Sequence, residues 1–198
     1  VYIVLESNQA IYAKGERRVD VQQSARAAMD QISTLLRNAG YFPENFDANP
    51  ANDLANPVAI QVATDNALAV YGDADGSGTS NVFLFCLNGT SLIRVRAAVG
   101  TPAAYTCTQG QVLGLNITNP RFAYFDASNN PIPNPPAPPY QLDGEGLGPV
   151  PPVPFFASTA QRGAVRRVVI TLTATENVPG KQPQTYTLTS NLRLRNLN

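Results

Sequence analysis

The chain has 198 residues, enough for one sizeable core, and its 14 acidic and 14 basic side chains leave no net charge. That balance excludes polyanion binding by bulk charge, although 12 of the cations are Arg, which matters where Arg clusters. There is no His and no Trp, so the commonest general base, the commonest metal ligand and every Ser-His or Cys-His dyad are excluded.

The chain opens VYIVLESNQAIYAK. The apolar run Val1–Leu5 reads as the end of a longer apolar segment, far shorter itself than the roughly 20 residues of a membrane span. A helix is expected over residues 1–39, softened at Lys14–Gly15, because glycine weakens a helix interior. Its apolar stripe, Val21, Ala25, Ala28, Met29, Ile32, Leu35, Leu36 and Ala39, follows steps of three and four. Of these, Val21, Ala25, Ala28, Met29, Ile32 and Leu36 are the expected contacts with a sheet. Arg18, Gln22, Arg26, Asp30 and Arg37 take the other side, with Arg26 and Asp30 an i,i+4 pair. Gly40 and then Pro43 mark the stop.

Residues 41–57 are rich in turn formers and read as a loop with at most one helical turn. From Val58 the period changes to two. Short strands are expected at 59–62 and 67–71, joined by Thr64-Asp65-Asn66, and at 82–87 after the turn GDADGSGTSN (72–81). Asn88-Gly89 is a strong hairpin signal, and 91–99 returns from it with Arg94 and Arg96 on one face. After a loop at 101–110, strands are expected at 112–118 and 121–126. Ten of the 17 prolines fall between Pro131 and Pro154, so 127–163 reads as a Pro-rich loop insertion. Two clear strands, 164–174 and 185–196, close the chain. One long helix followed only by strands is an α+β pattern in a single domain, 1–198, with a β-rich head over 58–198.

Candidate chemistry is sparse. Asp73 and Asp75, two apart and followed by Gly76 and Ser77, resemble the first half of a calcium loop. Position twelve of that pattern is Leu84 rather than Glu, and a polar turn explains the same residues. Cys86 and Cys107 read as one disulfide, with two buried free thiols as the alternative. Arg94 and Arg96, Arg162, Arg166 and Arg167, and Arg193 and Arg195 form three clusters. On neighbouring strands they would make a basic stripe for nucleic-acid phosphates, or a solvated face, or an edge meeting a partner subunit. No catalytic residue, organic cofactor or small-molecule substrate is expected.

VQQSARAAMDQISTLLRNAGYFP resembles the helix end of prepilin-type minor pilins of the PilW-like group and of the type II secretion pseudopilin J. Leu36, Arg37, Ala39, Gly40, Tyr41 and Pro43 carry the pattern L-R-x-A-G-Y-x-P. The turn GDADGSG, Leu92–Arg94 and the ending Leu192-Arg193-Leu194-Arg195-Asn196 are also similar to that group. The resemblance implies a pilin-like fold and a non-enzymatic subunit of a type IV pilus or type II secretion filament, near the tip, acting in filament initiation and assembly. It implies other minor pilins or pseudopilins and the major pilin as partners. It also implies inner-membrane anchoring through an apolar first half of the helix, of which Val1–Leu5 would be the stub, with the head in the periplasm or on an extracellular pilus. DNA uptake through the Arg face and a calcium-stabilised adhesin head are the other readings.

Overall fold

A computed structural model describes residues 2–46, 48–49, 58–98, 103–105, 107–108, 110–132, 140–142, 163–177 and 182–195. Helix α1 (Tyr2–Asn38) runs through Gly15 without a break. It ends where the stripe ends. Gly40 has φ 80°, the left-handed conformation that closes a helix at no steric cost, and its N–H donates to Tyr71 O at 2.9 Å. Gly72 makes the same corner possible: a Cβ there would lie 2.7 Å from Tyr41 O, so only glycine allows this approach. A 3-10 turn, Pro43–Phe46, is the expected single helical turn of the following loop.

The strands are β1 (Ile60–Ala63), β2 (Leu68–Gly72), β3 (Asn81–Asn88), β4 (Ser91–Ala98), β5 (Ala103–Tyr105), β6 (Gln111–Gly114), β7 (Ile117–Phe125), β8 (Pro131–Ile132), β9 (Tyr140–Leu142), β10 (Arg167–Glu176) and β11 (Gln184–Arg193). They form antiparallel sheets with the orders β1-β2-β3-β4-β6 and β11-β10-β7-β8, plus a small β5-β9 ladder. The expected strand 112–118 is in fact two. Asn116, at φ 59°, turns the chain between sheets, and Asn tolerates that region better than most residues. The part after the turn continues unbroken through Pro120, which is placed where β7 has β10 on one side and no ladder partner on the other. The loop expected at 101–110 contains β5, and the Pro-rich stretch contributes β8 and β9. Residues 133–139 and 143–162, where most of its prolines lie, are outside the described residues.

Both large sheets close on α1, which packs against β2 and β6 of the first and β10 and β11 of the second. Val21, Ala25, Ala28, Met29, Ile32 and Leu36 are all buried in one shared core with Leu68, Val70, Phe83 and Phe85 from one sheet and Ile170, Leu172 and Leu192 from the other. The sheets are also tied directly. Tyr124 of β7 donates its hydroxyl to the carbonyls of Thr64 and Ala67 in the β1–β2 hairpin, at 3.2 and 3.1 Å. Arg26 does not pair with Asp30; its guanidinium donates instead to the Tyr186 hydroxyl of β11, because α1 lies against that strand. Among the described residues no helix is long and apolar enough to cross a membrane.

Candidate functional site

Cys86 and Cys107 form a disulfide, with Cα atoms 5.8 Å apart. Cys86 faces away from α1, in a second apolar cluster with Tyr71, Leu84, Ile93 and Val95, and Cys107 packs against that cluster. The bond therefore fixes the chain just past β5 on the far side of the first sheet. Phe42, edge-on to Tyr71 at 4.8 Å, covers the same side.

The turn between β2 and β3 uses its carboxylates internally. Asp73 accepts from the Gly78 N–H at 3.0 Å and from the Ser77 hydroxyl, while Asp75 accepts from the Ser77 N–H and pairs with Arg96 at 3.4 Å. Burial pushes the Asp75 carboxyl upward, but hydrogen bonds from Ser77 and the Arg96 charge outweigh it and hold it below its ordinary value. Calcium takes six to eight oxygens. Among the described residues no three His, Cys, Asp or Glu side chains group where they could hold a metal, and both carboxylates of this turn already accept hydrogen bonds within it.

The arginines divide between the sheets. Arg94 and Arg96 lie on β4, with guanidinium carbons 5.7 and 5.9 Å from the Phe83 ring centre, and both are engaged: Arg94 by Gln111, Arg96 by Asp75. Arg166, Arg167 and Arg193 meet instead at one end of the second sheet. The N-terminal end of β10 lies there between the C-terminal ends of β7 and β11, so Phe125, Arg167 and Arg193 stand in one register row. Arg167 covers the Phe125 ring at 3.7 Å, a cation–π distance. Arg166 donates to the carbonyls of Gly163 and Val165. Together with Asp126, Ala127 and Asn129 these residues line a groove of about 300 Å³. Asp126 is committed elsewhere: it accepts from the Asn130 N–H at 2.8 Å and from its side-chain amide at 3.0 Å. Those bonds hold its carboxyl below the ordinary value. Arg195 is exposed past the end of β11 and is not among the lining residues, and Arg162 lies outside the described residues.

One functional-looking group was not anticipated. Glu176 ends the inner alternation of β10, after Val168, Ile170, Leu172 and Ala174, and is only 5% exposed. Neither carboxylate oxygen meets a hydrogen-bond partner. It borders a cavity of about 50 Å³ at the helix–sheet seam, beside Arg18, Gln22, Gln184 and Tyr186. A strand expectation ending at 174 hides it; extending the alternation by two residues would have placed a carboxylate on the apolar face. Phe125 and Asp126 were equally missed, because only the β7–β10 pairing brings them to the arginines.

No protein-family model matches this chain, and no curated protein matches it either.

Proposed function

We propose that the chain is the head of a minor pilin or pseudopilin, a non-enzymatic subunit of a type IV pilus or type II secretion filament, near the tip and acting in filament initiation. The observation that carries the reading is the way α1 is used. Its stripe is buried from Val21 onward, while residues 15–20 are exposed, including Val19 at 49%. The helix thus serves the head with its C-terminal half and leaves residues 15–20 uncovered, as a subunit that bundles through its helix requires. The disulfide supports an exported, oxidised setting, periplasmic or extracellular. Other minor subunits and the major pilin are the partners this reading requires, with the inner membrane as the site of assembly. Deleting the gene should abolish surface filaments or filament-dependent secretion, and the tagged protein should co-purify with the other minor pilins of the same cell. Normal filament number together with no such co-purification would sink the proposal.

A second reading, DNA binding for uptake, draws on the pairing of Arg167 with Arg193. Because Arg94 and Arg96 sit on the other sheet, it rests on the groove rather than on a continuous stripe. A mobility shift with duplex DNA that weakens steeply with salt would support it, and no shift at low salt would remove it.

A further inference from the structure

We infer that the groove formed by Arg166, Arg167 and Arg193 is a binding site for a single phosphate-type oxyanion. The starting observation is register. Arg167 and Arg193 are direct cross-strand partners, so two guanidinium-bearing side chains leave the same outer face side by side. Like charges so placed destabilise a sheet unless something neutralises them. Among the described residues the ion pairs are Arg96–Asp75 and Arg121–Asp65, and none involves the groove. Asp126 borders it, but both its oxygens are turned to Asn130.

Two of the three cations, Arg167 and Arg166, are also held in place before any ligand arrives. Arg167 is laid over Phe125, and its Nε is buried without a hydrogen-bond partner. Arg166 is anchored through one nitrogen by two backbone carbonyls, which leaves the rest of its fork uncommitted. Side chains fixed in this way lose little freedom on binding. A volume of about 300 Å³ admits a small molecule or one group of a larger one. The count of cations selects the chemistry. A planar carboxylate is satisfied by one guanidinium fork, whereas the oxygens of a tetrahedral phosphate group diverge and accept from several forks at once. The site stands independently of the filament reading, since a head that binds no anion could still assemble.

Calorimetric titration of the whole chain with inorganic phosphate at low ionic strength tests the site. One saturable phosphate per chain is expected. Arg193→Gln, an exposed position, and Arg167→Gln should each weaken binding about tenfold or more, as loss of a charge-assisted hydrogen bond does. Arg94→Gln, on the other sheet, should leave it nearly unchanged. Melting curves of each variant separate lost binding from lost folding, and the exposed Arg193→Gln keeps the test open if Arg167→Gln unfolds. Absence of saturable binding, or equal weakening by Arg94→Gln, overturns the site. Duplex DNA and phosphatidylglycerol vesicles, titrated in the same buffer, identify the source. Competition by either against inorganic phosphate, lost in Arg193→Gln, supports the groove and names the carrier. DNA or vesicle binding that neither groove variant affects, alongside no phosphate binding, overturns it.

Discussion

The two large sheets share one helix and differ in what lies on their far sides. In the first, β2 is buried along its whole length and β3 over six of its eight residues, because Val82, Leu84 and Cys86 have their own apolar cover away from α1. In the second, β10 alternates strictly: Val168, Ile170, Leu172 and Ala174 face the core, while Val169, Thr171, Thr173 and Thr175 look outward. The outer face carries threonine pairs, Thr171 with Thr189 and Thr173 with Thr187, each at 3.4 Å, and Thr118 with Thr175 at 3.0 Å. An antiparallel sheet can afford one wet face; a sheet between two apolar layers reads as a continuous hydrophobic run. The difference lies within one helix-and-sheet fold. The first sheet is buried on both faces, and the second leaves its outer face partly open.

The largest expected effect tests that division. Leu84→Ala, deleting a fully buried side chain on the first sheet's far side, should cost about 2–5 kcal/mol in urea denaturation. Thr187→Ala on the second sheet's outer face should stay within about 0.5 kcal/mol. Similar losses at both positions would erase the distinction between the sheets. Next comes the clamp on the first sheet's far side. Replacing Cys86 and Cys107 together by Ser should remove roughly 3 kcal/mol, the chain-entropy value for a closed loop near this size, and reductant alone should reproduce the loss. Denatured but unreduced protein should show no titratable thiol.

A gain is expected at the seam of the second sheet. Glu176→Met removes a carboxylate buried without a partner and should raise stability by about 1 kcal/mol or more. If stability falls instead, Arg18 pairs with Glu176 in solution, and Arg18→Met should then destabilise as well.

The smallest effect is acid sensitivity at the groove. A carboxyl held below its ordinary value contributes stability that is present above its unfolded-state pKa and lost as pH falls through the folded-state pKa. The Asp126 contribution should therefore disappear only below about pH 4. Carboxyl titration followed by NMR should place Asp126 lower in the parent than in Asn130→Ala. Equal midpoints would show that the Asn130 side-chain amide does not hold it.

Much of this fold was legible in the sequence. The helix, its stripe, its stop at Gly40 and most strands are local patterns of spacing and turn chemistry, and such patterns are carried by neighbours in sequence. Pairing across the sheets was not legible. That Asn116 would split one apolar run between two sheets depends on a left-handed turn that Asn permits without requiring. The arginines were visible as three sequence clusters, yet which of them meet is a matter of strand order. That order sets Arg167 beside Arg193 and over Phe125, and leaves Arg94 and Arg96 on another sheet.

Residue spacing by itself determined which face of α1 is apolar, because a period of 3.6 puts Val21 through Leu36 on one stripe whatever the helix meets. It also narrowed the two cysteines to a disulfide or two buried thiols. Only the tertiary structure decided between those, by setting their Cα atoms 5.8 Å apart. It also decided that one stripe would serve two sheets at once and that a carboxylate at Glu176 would be closed into the seam. Contacts between residues distant in the chain are fixed by the whole packing, which local periodicity does not encode.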